Sequence, residues 1–482
     1  MEGLEISEIM LSYARNNNEV FRFDSTYFQK EYLLDEAKIR SKQFKTLKSL
    51  GADIKSFGAY SLNNDVRYLE RGIPFIRGVN MKKGRISFTD MIFIDEQTNT
   101  LLWKSEVKPE MILLSMSGTI GDVALASKQW RYPINSNQDI AKIETKGKIN
   151  PYFLYTFLMS KFGQNYLNRE ARGSVQQHVF LSQIELFEVP TVSTDLETSI
   201  QRIVEWSDTL LINAENLYSQ AETLLLESTG LKNFSPTMRN VNIKSFNTSF
   251  NVTKRLDAEY YQPKYEQVMS KIVAQAHAPL NKLVDIQKSI EPGSDAYSDD
   301  EDGLSFLRVA DYDKFGITKP QKRLSTFFVN ENRDDLDALK PKKNTILFSK
   351  DGSVGEAYCL REDGDFITSG AVLHLTVRDP NKILPEYLTL ALNSKLVKMQ
   401  AERDAGGSII LHWRVSEIEN VVVPLVEKTI QTKIAAMVQK SFSLKEESEH
   451  LLEVAKRAVE ISIEQDERAG MQYIEANSQW NQ

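Results

Sequence analysis

The chain has 482 residues, too many for a single core, and its hydrophobic (41%) and charged (26%) fractions are ordinary for a soluble folded protein. One cysteine, Cys359, excludes an internal disulfide and a cysteine-based zinc cluster, and no apolar run approaches a membrane span. The formal net charge of −7 weighs against a nucleic-acid partner until its location is known, and the N-terminus lacks the basic and apolar regions of a signal peptide, so a cytoplasmic location is expected.

In chain order, Arg22–Tyr32 (RFDSTYFQKEY) is the first segment with a counterpart, Arg255–Tyr265 (RLDAEYYQPKY). Gly72-Ile-Pro-Phe-Ile-Arg77 then matches Gly303-Leu-Ser-Phe-Leu-Arg308, and Met111–Gly121 (MILLSMSGTIG) matches Thr345–Gly355 (TILFSKDGSVG). Pro151-Tyr-Phe-Leu154 with Ser160-Lys161 matches Pro385-Glu-Tyr-Leu388 with Ser394-Lys395. Gly173-Ser174, His178, Ser182, Ile184-Glu185 and Val189-Pro190 match Gly407-Ser408, His412, Ser416, Ile418-Glu419 and Val423-Pro424. The offset stays between 231 and 234, which establishes a duplication. Within each copy, Ile73–Val79, Met111–Met116 and Glu185–Pro190, with their counterparts Ser305–Val309, Thr345–Ser349 and Glu419–Pro424, read as strands. Tyr152–Ser160 and Glu386–Ser394 read as short helices that start at proline, and the Ser-x-x-Gly-x-x-Gly segments read as tight turns. Tyr27, Phe28 and Tyr32, like Tyr260, Tyr261 and Tyr265, read as core.

Two long amphipathic helices follow the copies, Thr198–Leu231 and Ile430 to about Glu467. Ile200, Ile203/Val204, Leu210/Leu211, Leu217, Ala221 and Leu224/Leu225 form one stripe; Ile434, Met437/Val438, Leu444, Leu451/Leu452, Ala455 and Ala458/Val459 form the other. Stripes of that length need long partners, so the helices are expected to pair antiparallel, with Gly230 stopping the first. Residues 195–230 carry a net −6 and residues 427–468 a net −2, which leaves the globular blocks close to neutral. The expected fold is therefore α/β (α+β): two similar globular domains separated by two long helices packed as an antiparallel coiled coil. The expected boundaries are an N-terminal extension 1–20, domain 21–195, central helix 196–232, domain 233–426, distal helix 427–468 and polar tail 469–482.

The duplicated Gly-Ser…His…Ser-x-Ile-Glu…Val-Pro ending, followed by a Gln-led helix (Gln201-Arg-Ile-Val204, Gln431-Thr-Lys-Ile434), resembles the specificity (S) subunit of Type I restriction–modification systems. So do the Ser-x-x-Gly-x-x-Gly turn and the Pro-Tyr-Phe-Leu-Tyr…Ser-Lys helix, and the resemblance covers nearly the whole chain. It implies two target-recognition domains, each reading half of a split, asymmetric double-stranded DNA site. It further implies a helical spacer that fixes the gap and docks two methyltransferase (M) subunits, with restriction (R) subunits joining the complex. A subunit of that kind has no catalytic activity and needs no cofactor. The alternative is a coiled-coil adaptor, or a specificity factor of another phage-defence or DNA-modification system.

The sequence supports that absence of chemistry. Asn150-Pro-Tyr-Phe153 lacks the second proline of a methyltransferase motif and reads as a helix start, while Asp90 with Glu106-Val-Lys108 has no equivalent in the second copy. Five histidines and one cysteine form no metal-binding pattern. DNA contact is expected from the loops. In the first copy the candidates are Arg77, Asn80, Lys82, Lys83, Ser115, Ser117, Gly118, Arg172, Ser174, Gln176 and Gln177. In the second they are Arg308, Lys342, Lys343, Ser349, Lys350, Ser353, Arg403, Ser408 and Arg414. Arginine can grip guanine and glutamine adenine in the major groove, and lysine clusters hold phosphates. His178 and His412 read as structural hydrogen-bonding groups.

Overall fold

The computed structural model describes residues 6–16, 22–56, 66–82, 84–173, 177–237, 239, 241–298, 302–407 and 409–478. The chain divides into two compact units, residues 1–211 with 446–482 and residues 212–445, so each unit takes part of each long helix.

The first unit is built on an antiparallel sheet in the order Val123–Leu125, Ile112–Ser115, Ile140–Glu144, Asp53–Lys55. A second sheet runs Tyr68–Leu69, Ile92–Ile94, Ile73–Ile76, Ile134–Ser136, Glu106–Val107, with Ile73–Ile76 and Ile134–Ser136 parallel. The second unit repeats both. Its first sheet runs Ala357–Cys359, Ile346–Ser349, Val372–Val377, Val284–Lys288. Its other sheet runs Tyr297–Ser298, Lys322–Leu324, Leu304–Leu307, Ile367–Thr368, the last two again parallel. Ile112–Ser115 and Ile346–Ser349 are buried along their whole length, which is why they read as continuous apolar runs rather than alternating ones. The helices Pro151–Met159 and Pro385–Asn393 cover these sheets, packing on Val123–Leu125 and Ala357–Cys359. Proline opens both, and Asn150 caps the first by accepting hydrogen bonds from the amides of Tyr152 and Phe153.

The first long helix spans Thr194–Ser228, earlier than the sequence suggests, because Ser193 supplies the N-terminal cap and Asp195 and Glu197 complement the helix dipole. It stops at Gly230, whose φ of +65° lets the Leu231 amide reach the Leu226 carbonyl at 2.7 Å. The second spans Lys428–Glu464. In the first unit the two run antiparallel: the Ser193 amide donates to the Glu467 carboxylate, while further along Ser207 and Ser448 are hydrogen-bonded. In the second unit Ser441 Oγ donates to the Ala214 carbonyl at 2.7 Å, and Tyr218, Ala221, Leu225, Ile434, Val438 and Phe442 join the core. The Gln residues that lead both helices are anchors. Asn150 Nδ2 donates to Gln201 Oε1 at 2.8 Å, and the Leu384 amide donates to Gln431 Oε1 at 3.1 Å.

Two shorter helices lie towards the ends of the described residues. Leu11–Asn16 is a helix whose Ala14 and Tyr13 pack on Tyr27 and Phe28, so the N-terminal stretch belongs to the first unit's core. The polar tail is largely a helix, Glu467–Asn477, capped by Asp466 and burying Gly470 and Ile474. A Cβ at Gly470 would stand 2.8 Å from the Ala458 carbonyl oxygen, which shows how closely this helix lies on the preceding one.

Candidate nucleic-acid interface

Each unit gathers its candidate loops at the end of the buried strand of the first sheet. In the first unit the turn after Ile112–Ser115 is made by Gly118 (φ +76°) and Gly121 (φ +90°), and in the second by Gly352 (+72°) and Gly355 (+79°). Such a turn needs left-handed backbone that only glycine adopts cheaply. The Gly-Ser…His loop is stitched to it: the Val179 amide donates to the Met116 carbonyl at 2.9 Å, and the Trp413 amide to the Lys350 carbonyl at 2.8 Å. His178 pairs backbone to backbone with Arg172, and His412 with Gly406, closing each loop at its neck. His412 Nδ1 also lies 2.8 Å from Asp351 Oδ1. A third loop follows the parallel strand. Asn80 Oδ1 accepts from the Arg77 amide at 3.0 Å, and Asp311 Oδ2 from the Arg308 amide at 2.8 Å. Shared anchors hold it near the turn: Asn137 N to Ile76 O (2.9 Å) with Met116 N to Asp139 O (2.8 Å), and Ser369 N to Leu307 O (2.8 Å) with Lys350 N to Ala371 O (2.9 Å). The duplication therefore extends to individual hydrogen bonds.

Four candidates for contact are buried. Asn80 (2% exposed), Ser115 (0%) and Ser349 (0%) face inward and shape the loops. Asn80 Nδ2 donates to the Ser87 carbonyl, Ser115 Oγ to the Ser117 carbonyl, and Ser349 Oγ to the Ser353 carbonyl. Ser117 is buried as well, beside the His178 bridge. Lys83, Ser174, Gln176 and Ser408 lie outside the described residues.

The other candidates face the solvent or sit at its edge. Lys82, Gln177, Lys342, Lys343, Ser353 and Arg414 are exposed, and Gly118 has open space where a Cβ would stand. Lys342 is 3.4 Å from Asp363, an exposed pair of little weight, and Lys350 is bonded to Asp351. Arg308 is held by Asp311 and Arg403 by Asp404. In the first unit Arg77 gives one guanidinium nitrogen to the Asp90 carbonyl, and among the described residues its buried Nε has no partner. Among the described residues Arg172 Nε and Nη2 are likewise shielded from solvent without an acceptor.

Two features escaped the sequence reading. Lys142 and His374 occupy the same buried register position, opposite Leu113 and Leu347. The tip Ile409-Ile410-Leu411 is exposed although wholly apolar. The repeat offset carries Ser136/Lys142 onto Thr368/His374 and would have revealed the first; an apolar run gives no sign of the second. Among the described residues no His, Cys, Asp and Glu cluster could hold a metal, and no helix is long and apolar enough to cross a membrane.

This arrangement is a duplicated scaffold presenting matched loops, and comparison with known proteins gives its family. The model of the Type I restriction modification DNA specificity domain matches residues 43–222 and 305–454; the chain belongs to that family. It is 25% identical to the Type I restriction enzyme MjaIX specificity subunit of Methanocaldococcus jannaschii, over 69% of this chain and 70% of that one. It is 23% identical to the Escherichia coli EcoBI specificity subunit, over 77% and 73% of the two chains. A crystal structure of the Type I restriction–modification S subunit from M. genitalium aligns at 15% identity, covering 90% of this chain and 95% of that one, with a TM-score of 0.38.

Proposed function

We propose that the chain is the non-catalytic DNA-specificity subunit of a Type I restriction–modification complex, in which each unit reads one half of a bipartite site. The domain boundaries are those of the sequence reading, with the N-terminal stretch added to the first recognition domain. The paired helices set the gap between half-sites and dock two methyltransferase subunits, through which restriction subunits join. The observation that supports this best is that the same three loops are held by the same backbone hydrogen bonds in both units while carrying different side chains. Arg172 and Gln177 stand on one loop where Gly406 and Ile409 to Leu411 stand on the other, as two readers of unlike half-sites require.

The test separates reading from spacing. Four residues inserted into one long helix lengthen it by about 6 Å, close to two base pairs. In the complex with its methyltransferase, mapping of methylated positions should then show a changed gap and unchanged half-sites. Altered half-sites at an unchanged gap would refute the division of labour.

A further inference from the structure

The tip of the second unit's loop is the least expected surface on the molecule. Ile409 is 95% exposed, Ile410 54% and Leu411 40%, three consecutive aliphatic side chains with no hydrogen-bonding group among them. They cannot simply fold inward. The neck is closed by the paired backbones of Gly406 and His412 at 3.0 and 2.7 Å, and the Gly352 amide holds the Leu411 carbonyl at 2.9 Å. Gly407, at φ +135°, lies so close to the returning strand that a Cβ there would stand 2.0 Å from the Ile410 carbonyl oxygen. Trp413, 1% exposed, packs its ring 5.8 Å from that of Phe348 and pins the far side. A projecting apolar tip of this kind is the sort of surface that marks a contact site.

Its surroundings select the partner. Of the nearby carboxylates, Asp351 is paired with Lys350 and Asp404 with Arg403, and Glu417 accepts from the Arg414 amide, while the Arg414 side chain, next to Trp413, is exposed. The tip is thus apolar, with the exposed Arg414 guanidinium beside it, which suits a partner that carries both apolar groups and anionic ones. In the major groove of duplex DNA the thymine 5-methyl is the apolar group.

We propose that Ile409, Ile410 and Leu411 are specificity-determining residues that read thymine 5-methyl groups in one half-site. This rests on the reading of the second unit as a DNA-recognition domain. The tip discriminates thymine from cytosine by shape and hydrophobicity, without hydrogen bonds, and complements the polar loop at the same place in the first unit.

The experiment uses the full chain assembled with its methyltransferase partner and duplexes carrying the site found by mapping methylated positions. Each thymine of both half-sites is replaced in turn by deoxyuridine, which removes the methyl group and leaves pairing intact. The expected result is a loss of affinity of roughly three- to five-fold, the weight of one buried methyl group, at one or two positions of a single half-site. The double substitution Ile409→Ala with Ile410→Ala should bind thymine and uracil equally at those positions and leave the other half-site unchanged. Equal affinity of the unsubstituted complex for thymine and uracil throughout would overturn the proposal, as would a pair of half-sites in which neither thymine-containing half responds to the variant. A variant that weakens binding without any uracil effect would assign the tip to a wedge between bases or to a protein partner, and also overturns it. If the complex prefers no sequence at all, the DNA reading itself fails, and the proposal with it.

Discussion

The two units differ most informatively where they are most alike. At one register position of the central sheet the first unit buries Lys142 (1% exposed) and the second His374 (3%). Lys142 Nζ donates to Ser136 Oγ at 3.1 Å and to the Ile140 carbonyl at 3.0 Å; His374 Nε2 lies 2.9 Å from Thr368 Oγ1. Ser136 and Thr368 end the strands that run parallel to Ile73–Ile76 and Leu304–Leu307, from which the Arg77 and Arg308 loops depart. In both units a hydrogen bond thus runs from the first sheet to the strand beneath the candidate loops, made by an amine in one and an imidazole in the other. Among the described residues neither has a carboxylate partner, and burial favours the neutral form of each.

That difference sets the largest expected effect. Burial pushes Lys142 down from 10.5 to about 7 and His374 down from 6.5 to about 4. For Lys142, the unfolded chain keeps a proton between pH 7 and 10.5 that the folded chain has released, so the stability of the first unit rises with pH across that window. For His374 the same sign applies lower: stability is complete above pH 6.5 and is lost as pH falls towards 4. Converted at about 1.4 kcal/mol per pK unit, the two contributions are on the order of 5 and 3 kcal/mol. Hydrogen exchange followed peptide by peptide across a pH series reads the units separately. Lys142→Met should flatten the alkaline slope in residues 22–173 alone, and His374→Gln the acid slope in residues 280–377 alone. Slopes that survive both substitutions would remove the titration from these residues.

A second contrast lies in the helices Lys161–Glu170 and Lys395–Asp404, each tied at its end by an arginine of the repeated first motif. Arg22 Nη1 reaches the Arg169 carbonyl at 2.7 Å, and Arg255 Nη1 the Asp404 carbonyl at 2.7 Å, which is why the RFD and RLD motifs recur. The arginines on those helices differ. Arg169 is buried (5%) against Glu36 (8%) at 3.1 Å, with its ring contact on Tyr27, whereas Arg403 keeps 21% of its side chain exposed and pairs with its neighbour Asp404. Removing one member of the buried pair strands the other's charge, so Glu36→Ala should cost about 3–5 kcal/mol in the first unit. Asp404→Ala, beside a guanidinium that water can reach, should cost about 1 kcal/mol. Thermal unfolding of the two variants checks the ranking; equal losses would break the contrast.

How much of this was legible follows from what each residue must do. The turns at Gly118/Gly121 and Gly352/Gly355 were readable because left-handed backbone restricts the residue type. The long helices were readable from stripes that tertiary packing demands. Their starts were not, since Ser193 capping depends on one side-chain bond within a polar stretch. The Glu467–Asn477 helix was missed because only Gly470 and Ile474 are buried in it, too few for a stripe. Lys142 was missed because lysine in a strand signals water, and only the hydrogen bonds of the folded state make its burial tolerable. At the recognition face, loop identity was legible from the repeat. The inward turn of Asn80, Ser115 and Ser349 was not, because serine and asparagine serve loop geometry and base contact equally well.

The smallest contrast concerns the turn that carries the recognition loops. Gly121 and Gly355 are equivalent, with φ values of +90° and +79°, so alanine at either place meets the same left-handed penalty of about 1–2 kcal/mol. What stands beyond them differs. A Cβ on Gly355 would find nothing nearer than Ala401 Cβ at 3.5 Å, an ordinary contact. On Gly121 it would meet Gln164 Oε1 at 2.7 Å, and Gln164 is occupied, its Nε2 donating to the Gly121 and Leu158 carbonyls at 2.8 Å each. The side chain can swing aside only by giving up those bonds, which adds about 1–2 kcal/mol. Gly121→Ala should therefore be the more destabilising of the two by that margin. The double variant Gly121→Ala with Gln164→Ala isolates the cause: it should remove the excess if displaced glutamine is responsible, and a retained excess would place the strain in the turn itself.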